Sequence, residues 1–333
     1  MLRESPVASA TSPNDLFDAL QSAIELEHST IPLYMTAVLS IKDSAIGSMR
    51  QISRTISDIM IQEMLHMNIA CNILIAIGGN PSINHPGFIP TYPGRLPMVG
   101  NFEVHLAPLS FSQLDTFLEI EEPEHPINFP VHAMAVEAIP AFATIGQFYR
   151  AIIAKLKEFG SGTVVGHPEL QVTDAFAQAP AITTLDDAIA GLNLIIDQGE
   201  GTESSPLASP GGKNAHFYRF KEIKIGKTLK VDSSSPQGFS FGDPPILFDP
   251  AEIEDMVSDP RAAIFTGEAR TAVDTFNAKY SRLLDNLHQA FSGGPNSLDI
   301  SAMSDLLDLG KKVVTTRDPV IGKNAAPSFE YLP

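Results

Sequence analysis

The sequence predicts a mainly α-helical protein built on a four-helix bundle. Three observations support this fold class. Long segments carry apolar residues at helical spacing, glutamate and histidine interrupt these apolar stripes, and segments rich in Pro and Gly separate them. Bundles of this kind can bind metal ions through Glu and Glu-x-x-His motifs that project into the core.

Four segments are predicted to form the bundle, and they cover residues 13–42, 46–78, 141–159 and 184–223. The first begins with Ser12 as helix cap and Pro13 at the first helical position. The fourth contains a Ser/Pro/Gly-rich insertion, which would let Glu200 and His216 act together in one helix despite their separation in sequence.

The remaining segments are predicted to connect or extend the bundle within one domain that spans residues 1–333. Residues 80–109 read as a long, irregular crossover with a short strand at 102–106, followed by a short helix at 110–120. The C-terminal extension, residues 224–333, is predicted to hold a small β-hairpin, two further helices at 267–291 and 297–314, and an extended tail.

The central candidate motif is Glu63-x-x-His66. Residues three positions apart share one face of a helix, so a carboxylate and an imidazole in this motif can reach one metal ion. Such motifs usually lie on solvated helix faces. Here both residues interrupt an apolar stripe, and Glu27 does the same on the preceding helix. Because an unpaired carboxylate on an apolar face is costly, a ligand role is favoured for Glu27.

The composition argues against several kinds of partner and metal site. The chain has 333 residues, 44% hydrophobic and 18% charged, with a net charge of −17, so nucleic acid and anionic membrane surfaces are not expected as partners. The single cysteine, Cys71, excludes an intrachain disulfide and a cysteine metal site. No signal peptide and no uninterrupted apolar run near the ~18 residues of a membrane span are recognised, so a cytoplasmic location is expected.

Six short motifs together resemble the ferritin-like family, and more narrowly the ferritin-like domain of iminopyruvate dimer synthases from bisindole pigment and indolocarbazole pathways. They lie at residues 24–32, 63–67, 145–149, 198–201, 216–220 and 326–331. The resemblance implies a helical bundle with metal ligands from four helices. Carried over by position, the ligands would be Glu27, Glu63, His66, Glu200 and His216.

One position departs from this pattern. Where the family usually has a glutamate, this chain has Gln147, whose neutral amide is a poor bridging ligand. Fewer than two tightly held ions are therefore expected. If Gln147 is not a ligand, Glu137 or one of Glu119, Glu121 and Glu122 would replace it, although the acidic cluster at 121–126 is interpreted as a solvated turn.

Three functions follow as hypotheses. The first is a metal-dependent oxidase or oxygenase that acts on a small organic substrate, with dioxygen and one or two ions of iron; manganese and zinc remain alternatives. The second is a metal-binding relative without turnover. The third, from the resemblance alone, is oxidative coupling of two amino-acid-derived imines. Homo-oligomer formation is left open.

Overall fold

The computed structural model describes residues 7, 10–97, 102–124, 144–173, 179–202, 205–208, 212–294 and 301–332, with side chains from residue 303 onward in the last range. The described residues form eight α-helices and one two-stranded sheet, which confirms the mainly helical fold class. The elements are α1 (Phe17–Ser40), α2 (Gly47–Ala76), α3 (Phe111–Ile120), α4 (Ile145–Phe159), α5 (Leu185–Glu200), α6 (His216–Ile225), β1 (Lys227–Val231), β2 (Phe239–Pro245), α7 (Gly267–Phe291) and α8 (Ser301–Thr315).

The bundle is formed by α1, α2, α4 and the α5–α6 pair. Helix α1 packs along α2, α4 packs along α5, and both α5 and α6 contact α2. Helix α3 packs on α6 and so lies beside the bundle at the point where the fourth bundle helix is divided.

The start of α4 and the segment 102–106 differ from the sequence prediction. Helix α4 begins at Ile145, because Thr144 is extended (φ −135°, ψ 160°) and caps it by accepting a hydrogen bond from the backbone N–H of Gln147. The predicted start at residue 141 falls outside the described residues. At residues 102–106 the structure has one isolated β-bridge, between Gly94 and Val104, in place of a strand.

The C-terminal part covers one side of the α1–α2 pair. Helices α7 and α8 pack on each other, and α8 also contacts α1. The His28 side chain of α1 is buried here, and burial lowers its pKa to about 3, so the ring is neutral. Its Nε2 atom lies 2.5 Å from the hydroxyl of Tyr280 on α7. The sheet pairs β1 with β2 in antiparallel register, with Val231 opposite Phe239.

Helix α2 is the core helix of the fold. By length and apolar composition alone it could cross a membrane. However, most of it is buried inside the protein, as in the central helix of a globular core. Its apolar residues therefore have protein partners.

Candidate metal centre

Five buried side chains converge between the bundle helices, and they form two groups that share one residue. The first group is Glu27, Glu63 and His66, and the second is Glu63, Glu121 and His216. Within each group the ligand-type atoms lie within 4.8 Å of one another. All five side chains are between 1% and 5% exposed. Glu63 therefore stands between two sets that each contain one further carboxylate and one imidazole.

The imidazole of His66 is held between carboxylates and an amide. Its Nδ1 atom lies 3.4 Å from Oε2 of Glu27 and 3.8 Å from Oε1 of Glu63. On the other side of the ring, Nε2 lies 2.8 Å from Oε1 of Gln198, near the end of α5. With the Nε2–H donating to that amide oxygen, the Nδ1 lone pair points at the carboxylates.

The imidazole of His216 has the same arrangement with different partners. Its Nδ1 lies 2.8 Å from Oε1 of Glu63 and 3.6 Å from Oε2 of Glu121. Its Nε2 lies 3.1 Å from Oε1 of Gln62, which also accepts a hydrogen bond from Nη1 of Arg219 at 3.0 Å. Because a guanidinium only donates, this Gln62 atom must be the oxygen, and His216 must donate to it from Nε2. The tautomer of His216 is thereby fixed.

Each carboxylate has one oxygen held by a hydroxyl group. Tyr149 donates to Oε1 of Glu27, and Tyr34 donates to Oε1 of Glu121 at 2.5 Å. Thr30 hydrogen-bonds Oε2 of Glu63 at 3.1 Å. The second oxygen of each carboxylate is the one that faces an imidazole Nδ1. Supporting side chains thus orient all five residues toward a common interior.

A divalent cation fits this arrangement. Oε1 of Glu63 and Nδ1 of His216 are buried without a hydrogen-bond partner, although they lie only 2.8 Å apart. A carboxylate oxygen that faces an imidazole lone pair is repelled unless a proton or a cation lies between them. Carboxylate oxygens and imidazole nitrogens are the ligand types that iron, manganese and zinc accept. The donor set therefore suits a transition metal.

The pKa shifts of Glu63 and His66 in the ion-free site are those expected of a site that binds a cation. Burial raises the pKa of Glu63 well above its usual value, and the charges of Glu121 and Glu27 raise it further. Burial alone would lower the pKa of His66, but Glu27 and Glu63 outweigh burial and raise it. Without a metal, the site therefore favours bound protons, which a cation would displace.

The structure brings four of the six sequence-predicted ligands together, namely Glu27, Glu63, His66 and His216. Gln147 donates its amide N–H to Oε1 of Glu124 at 3.2 Å. Glu200 lies in neither cluster.

The Glu200 carboxylate binds residues of helix α4. Its Oε1 accepts the backbone N–H of Gly146 at 2.8 Å, and its Oε2 accepts from Nη2 of Arg150 at 3.2 Å. The reason is helical geometry, because residues two positions apart point about 200° from each other. When Gln198 reaches His66, Glu200 has to face α4 instead.

Glu121 is the ligand-type residue that the sequence interpretation assigned to a solvated turn. It is 5% exposed and caps the C-terminal end of α3. A signal was present, because Glu121 follows the buried Phe117 by four residues and so continues the apolar face of that helix. Neither Glu119 nor Glu122 belongs to a cluster, and Glu137 lies outside the described residues. The sequence does not mark Gln62 and Gln198 as functional residues, apart from their proximity to predicted ligands.

Comparisons with known proteins also indicate a ferritin-like fold. A family model described as Ferritin-like matches residues 20–225, more than half of the chain. A solved structure, a ferritin-like protein from Caulobacter vibrioides, has a TM-score of 0.66 to this fold with 24% sequence identity, and the match covers 95% of this chain and 97% of that one. At that identity the likeness concerns the fold alone. No curated protein matches.

Proposed function

The chain belongs to the ferritin-like family, and on this premise we propose that it is a metal-dependent oxidase or oxygenase that acts on a small organic substrate. The proposed centre holds two ions, one bound by Glu27 and His66 and the other by Glu121 and His216. Glu63 would bridge them. The supporting observation is that Glu63 belongs to both buried groups of ligand-type side chains.

Iron is the proposed metal, with manganese as the nearest alternative. In the part of the chain that the structure describes, the two groups consist of carboxylates and imidazoles, and the chain's one cysteine, Cys71, is in neither group. Such oxygen- and nitrogen-rich sets on a helical bundle are typical of di-iron and di-manganese carboxylate proteins. Bound in this way, iron would supply one-electron redox chemistry toward dioxygen.

The protein's own residues would orient the ligands, exclude water and hold protons. Tyr34 and Tyr149 keep their hydroxyl protons, since burial and the neighbouring carboxylates raise the pKa of both. Each tyrosine hydroxyl therefore stays a donor to one outer carboxylate oxygen, on Glu121 or on Glu27. The inner oxygens remain available for metal, and the near-complete burial of the cluster limits water around the ions.

The test is oxygen reactivity of protein loaded with Fe(II) under anaerobic conditions. On addition of dioxygen, the wild-type protein should consume oxygen while its bound Fe(II) is oxidised, as followed by an oxygen electrode and near-ultraviolet absorption. Glu63→Gln removes the bridging charge and should slow or abolish both signals. Zinc-loaded wild-type protein serves as the control and should be inert. Stable Fe(II) in aerobic wild-type protein would contradict the proposal.

A second candidate is a metal-binding protein without turnover. The observation that favours it is the burial of the five ligand-type side chains, of which none is more than 5% exposed. Such a site could hold metal ions while an organic molecule is unable to reach them. Stoichiometric zinc in the protein as isolated, together with no oxygen consumption after loading with iron, would support this alternative.

Imine coupling is a narrower form of the enzymatic proposal. Its support is the resemblance of six motifs to iminopyruvate dimer synthases, which is a likeness of sequence rather than of site geometry. The specific test is to supply the iron-loaded protein with imines generated from an aromatic amino acid by an oxidase. A coupled dimer detected by mass spectrometry, absent with Glu63→Gln, would support it.

A further inference from the structure

The last turn of α5 covers the candidate metal centre unevenly. Gln198 and Gly199 are neighbours in this turn, and both are partly exposed to solvent. The Gln198 side chain reaches inward, where its Oε1 lies 2.8 Å from Nε2 of His66. Gly199 has no side chain, so the adjoining position on the inner surface of the helix is left uncovered.

The uncovered position faces Glu121. A Cβ atom placed on Gly199 would lie 3.6 Å from Oε2 of Glu121, and among the described residues no other heavy atom outside its own stretch of helix would come within 4 Å. The same Glu121 oxygen lies 3.6 Å from Nδ1 of His216. Free space beside Gly199 therefore adjoins the residues that are proposed to bind the second ion.

Two other glycines in the bundle helices are closely packed instead. A Cβ atom on Gly146 would lie 2.4 Å from the carboxylate oxygens of Glu200, and one on Gly191 would lie 2.9 Å from Cγ2 of Ile69. At both positions a side chain would collide with its neighbour in a dense interior. At Gly199 a Cβ atom would make an ordinary van der Waals contact, so packing does not require glycine there.

The backbone conformation does not require glycine at position 199 either. Gly199 lies inside α5 and is not one of the glycines with positive φ, whereas Gly201 has a φ of +87° and ends the helix. Glycine inside a helix is destabilising relative to alanine, because it loses more backbone freedom on folding. The space that Gly199 leaves beside Glu121 is therefore the feature that accounts for a glycine at this position.

We propose that Gly199 keeps open a passage through which dioxygen-sized molecules reach the ion bound by Glu121 and His216. The inference rests on the proposed function, because it requires the two-ion centre. Glu121 is 5% exposed and His216 is 1% exposed, so a molecule that binds this ion needs a route through the surrounding residues. A passage as wide as one missing side chain suits a molecule of two or three atoms.

The passage should serve only one of the two ions. On the neighbouring position of α5, the Gln198 side chain lies against His66 and covers that side of the centre. The ion bound by Glu27 and His66 is therefore expected to be closed to small molecules that enter at Gly199.

Azide binding to cobalt-loaded protein tests the passage without any turnover. Azide has three atoms and changes the visible absorption of cobalt(II) when it becomes a ligand, so a titration reports its affinity. The wild-type protein should bind azide saturably. Gly199→Val fills the free space and should weaken binding by about tenfold or more, because groups forced into an occupied space are costly.

Ala190→Val is the matched control for that variant. It introduces the same side chain on the same helix, but at an exposed position, and it should bind azide like the wild-type protein. Cobalt content, measured on all samples, should be equal. Equal azide affinity in Gly199→Val and the wild type would overturn the proposal.

Glu121→Gln tests which ion the azide reaches. The variant should keep the ion bound by Glu27 and His66 and lose the other, so that azide no longer changes the cobalt spectrum. Undiminished azide binding by Glu121→Gln protein that holds one ion would place the open position at the other ion and contradict the assignment.

Thermal stability separates a passage from a packing role. Gly199→Ala should leave the melting temperature unchanged or raise it, because the added methyl group fits and alanine favours the helix. A large fall in melting temperature would show that the protein needs glycine here for packing, and the argument for a passage would fail.

The outcomes also distinguish this inference from the proposed function. Azide binding that depends on Gly199, in a protein whose iron-loaded form consumes no oxygen, would support the passage and refute the oxidase. Oxygen consumption that is unchanged in Gly199→Val would support the oxidase and overturn the passage. Failure of the wild-type protein to bind cobalt would refute both.

Discussion

Two glutamines decide which nitrogen of each histidine faces the carboxylates. Gln198 takes the Nε2–H of His66, and Gln62 takes that of His216 while Arg219 holds its amide oxygen in place. Such partners outside the ligand set often change metal affinity by about 10–100-fold when removed, because they fix the tautomer and orientation of the ligand.

At the residue scale, Gln62→Leu is therefore expected to weaken the ion bound by His216 and Glu121. The variant keeps every proposed ligand but removes the acceptor that fixes His216. Competition with a chelator should show one site weakened by roughly 10–100-fold and the other unchanged.

The matched variant is Gln198→Leu, which should weaken the other site, the one with His66 and Glu27. Because the two variants address different ions, adding both should weaken both sites. Unchanged affinity in either single variant would mean that the amides do not position the imidazoles.

At the scale of elements, the junction of α4 with α5 depends on a close approach at Gly146. A Cβ atom at this position would lie 2.4 Å from both carboxylate oxygens of Glu200. The absence of a side chain lets Glu200 accept the Gly146 N–H at the N-terminus of α4, where a negative charge is favourable.

Gly146→Ala should therefore destabilise the protein by about 1–3 kcal/mol, since it displaces a buried, hydrogen-bonded carboxylate. Helix propensity alone predicts the opposite sign, a gain of up to about 1 kcal/mol. Denaturant unfolding distinguishes the two. Glu200→Gln should retain full metal loading; loss of an ion in that variant would return Glu200 to the ligand set.

The start of α5 gives a pH-dependent prediction. Hydrogen bonds from Thr183 and Thr184 lower the pKa of Asp187 below its usual value. A carboxylate with a lowered folded-state pKa adds stability above its unfolded pKa of about 3.8, and this is lost as the pH falls through the folded value. Asp187→Asn should thus lower the melting temperature at pH 7 and have a shrinking effect below pH 4.

The neighbouring Asp186 is the control for this helix start. It is exposed and has no part in the capping box that joins Thr184 to Asp187. Asp186→Asn should leave the melting temperature nearly unchanged at both pH values. Equal effects of the two substitutions would show that net charge at the helix end, rather than the cap, sets stability.

Elements whose bounds depend on nearby residues can be predicted from the sequence, and elements that depend on contacts with distant segments cannot. The bounds of α7 match the predicted 267–291, because its apolar period and its flanking residues are local signals. The start of α4 and the single bridge at Val104 differ from expectation, because caps and strand pairing depend on contacts with other segments.

At the scale of the molecule, the site could be predicted in part. Glu27, Glu63, His66 and His216 interrupt or flank apolar helix faces, so their burial follows from the helical period. The role of Glu121 depends on how α3 docks on α6, which is a tertiary contact. The direction of Glu200 depends on which face of α5 meets α2, and a rotation of about 200°, or two residues, exchanges it with Gln198.

The position of Glu121 in the second group of ligands changes the expected metal content. With Gln147 as the neutral member of the site, fewer than two tightly held ions were expected. Glu121 supplies a carboxylate at the second group instead, so that each proposed ion has a carboxylate, an imidazole and a share of Glu63. Three carboxylates against two divalent cations leave a modest positive charge, which makes double occupancy reasonable.

Metal content per chain tests this central claim most directly. After anaerobic loading with Fe(II) and desalting, elemental analysis should find two ions per chain in the wild-type protein and in Gln147→Ala, and one in Glu121→Gln. Fewer than two ions in the wild type, or an ion lost from Gln147→Ala but kept in Glu121→Gln, would contradict the two-ion centre bridged by Glu63.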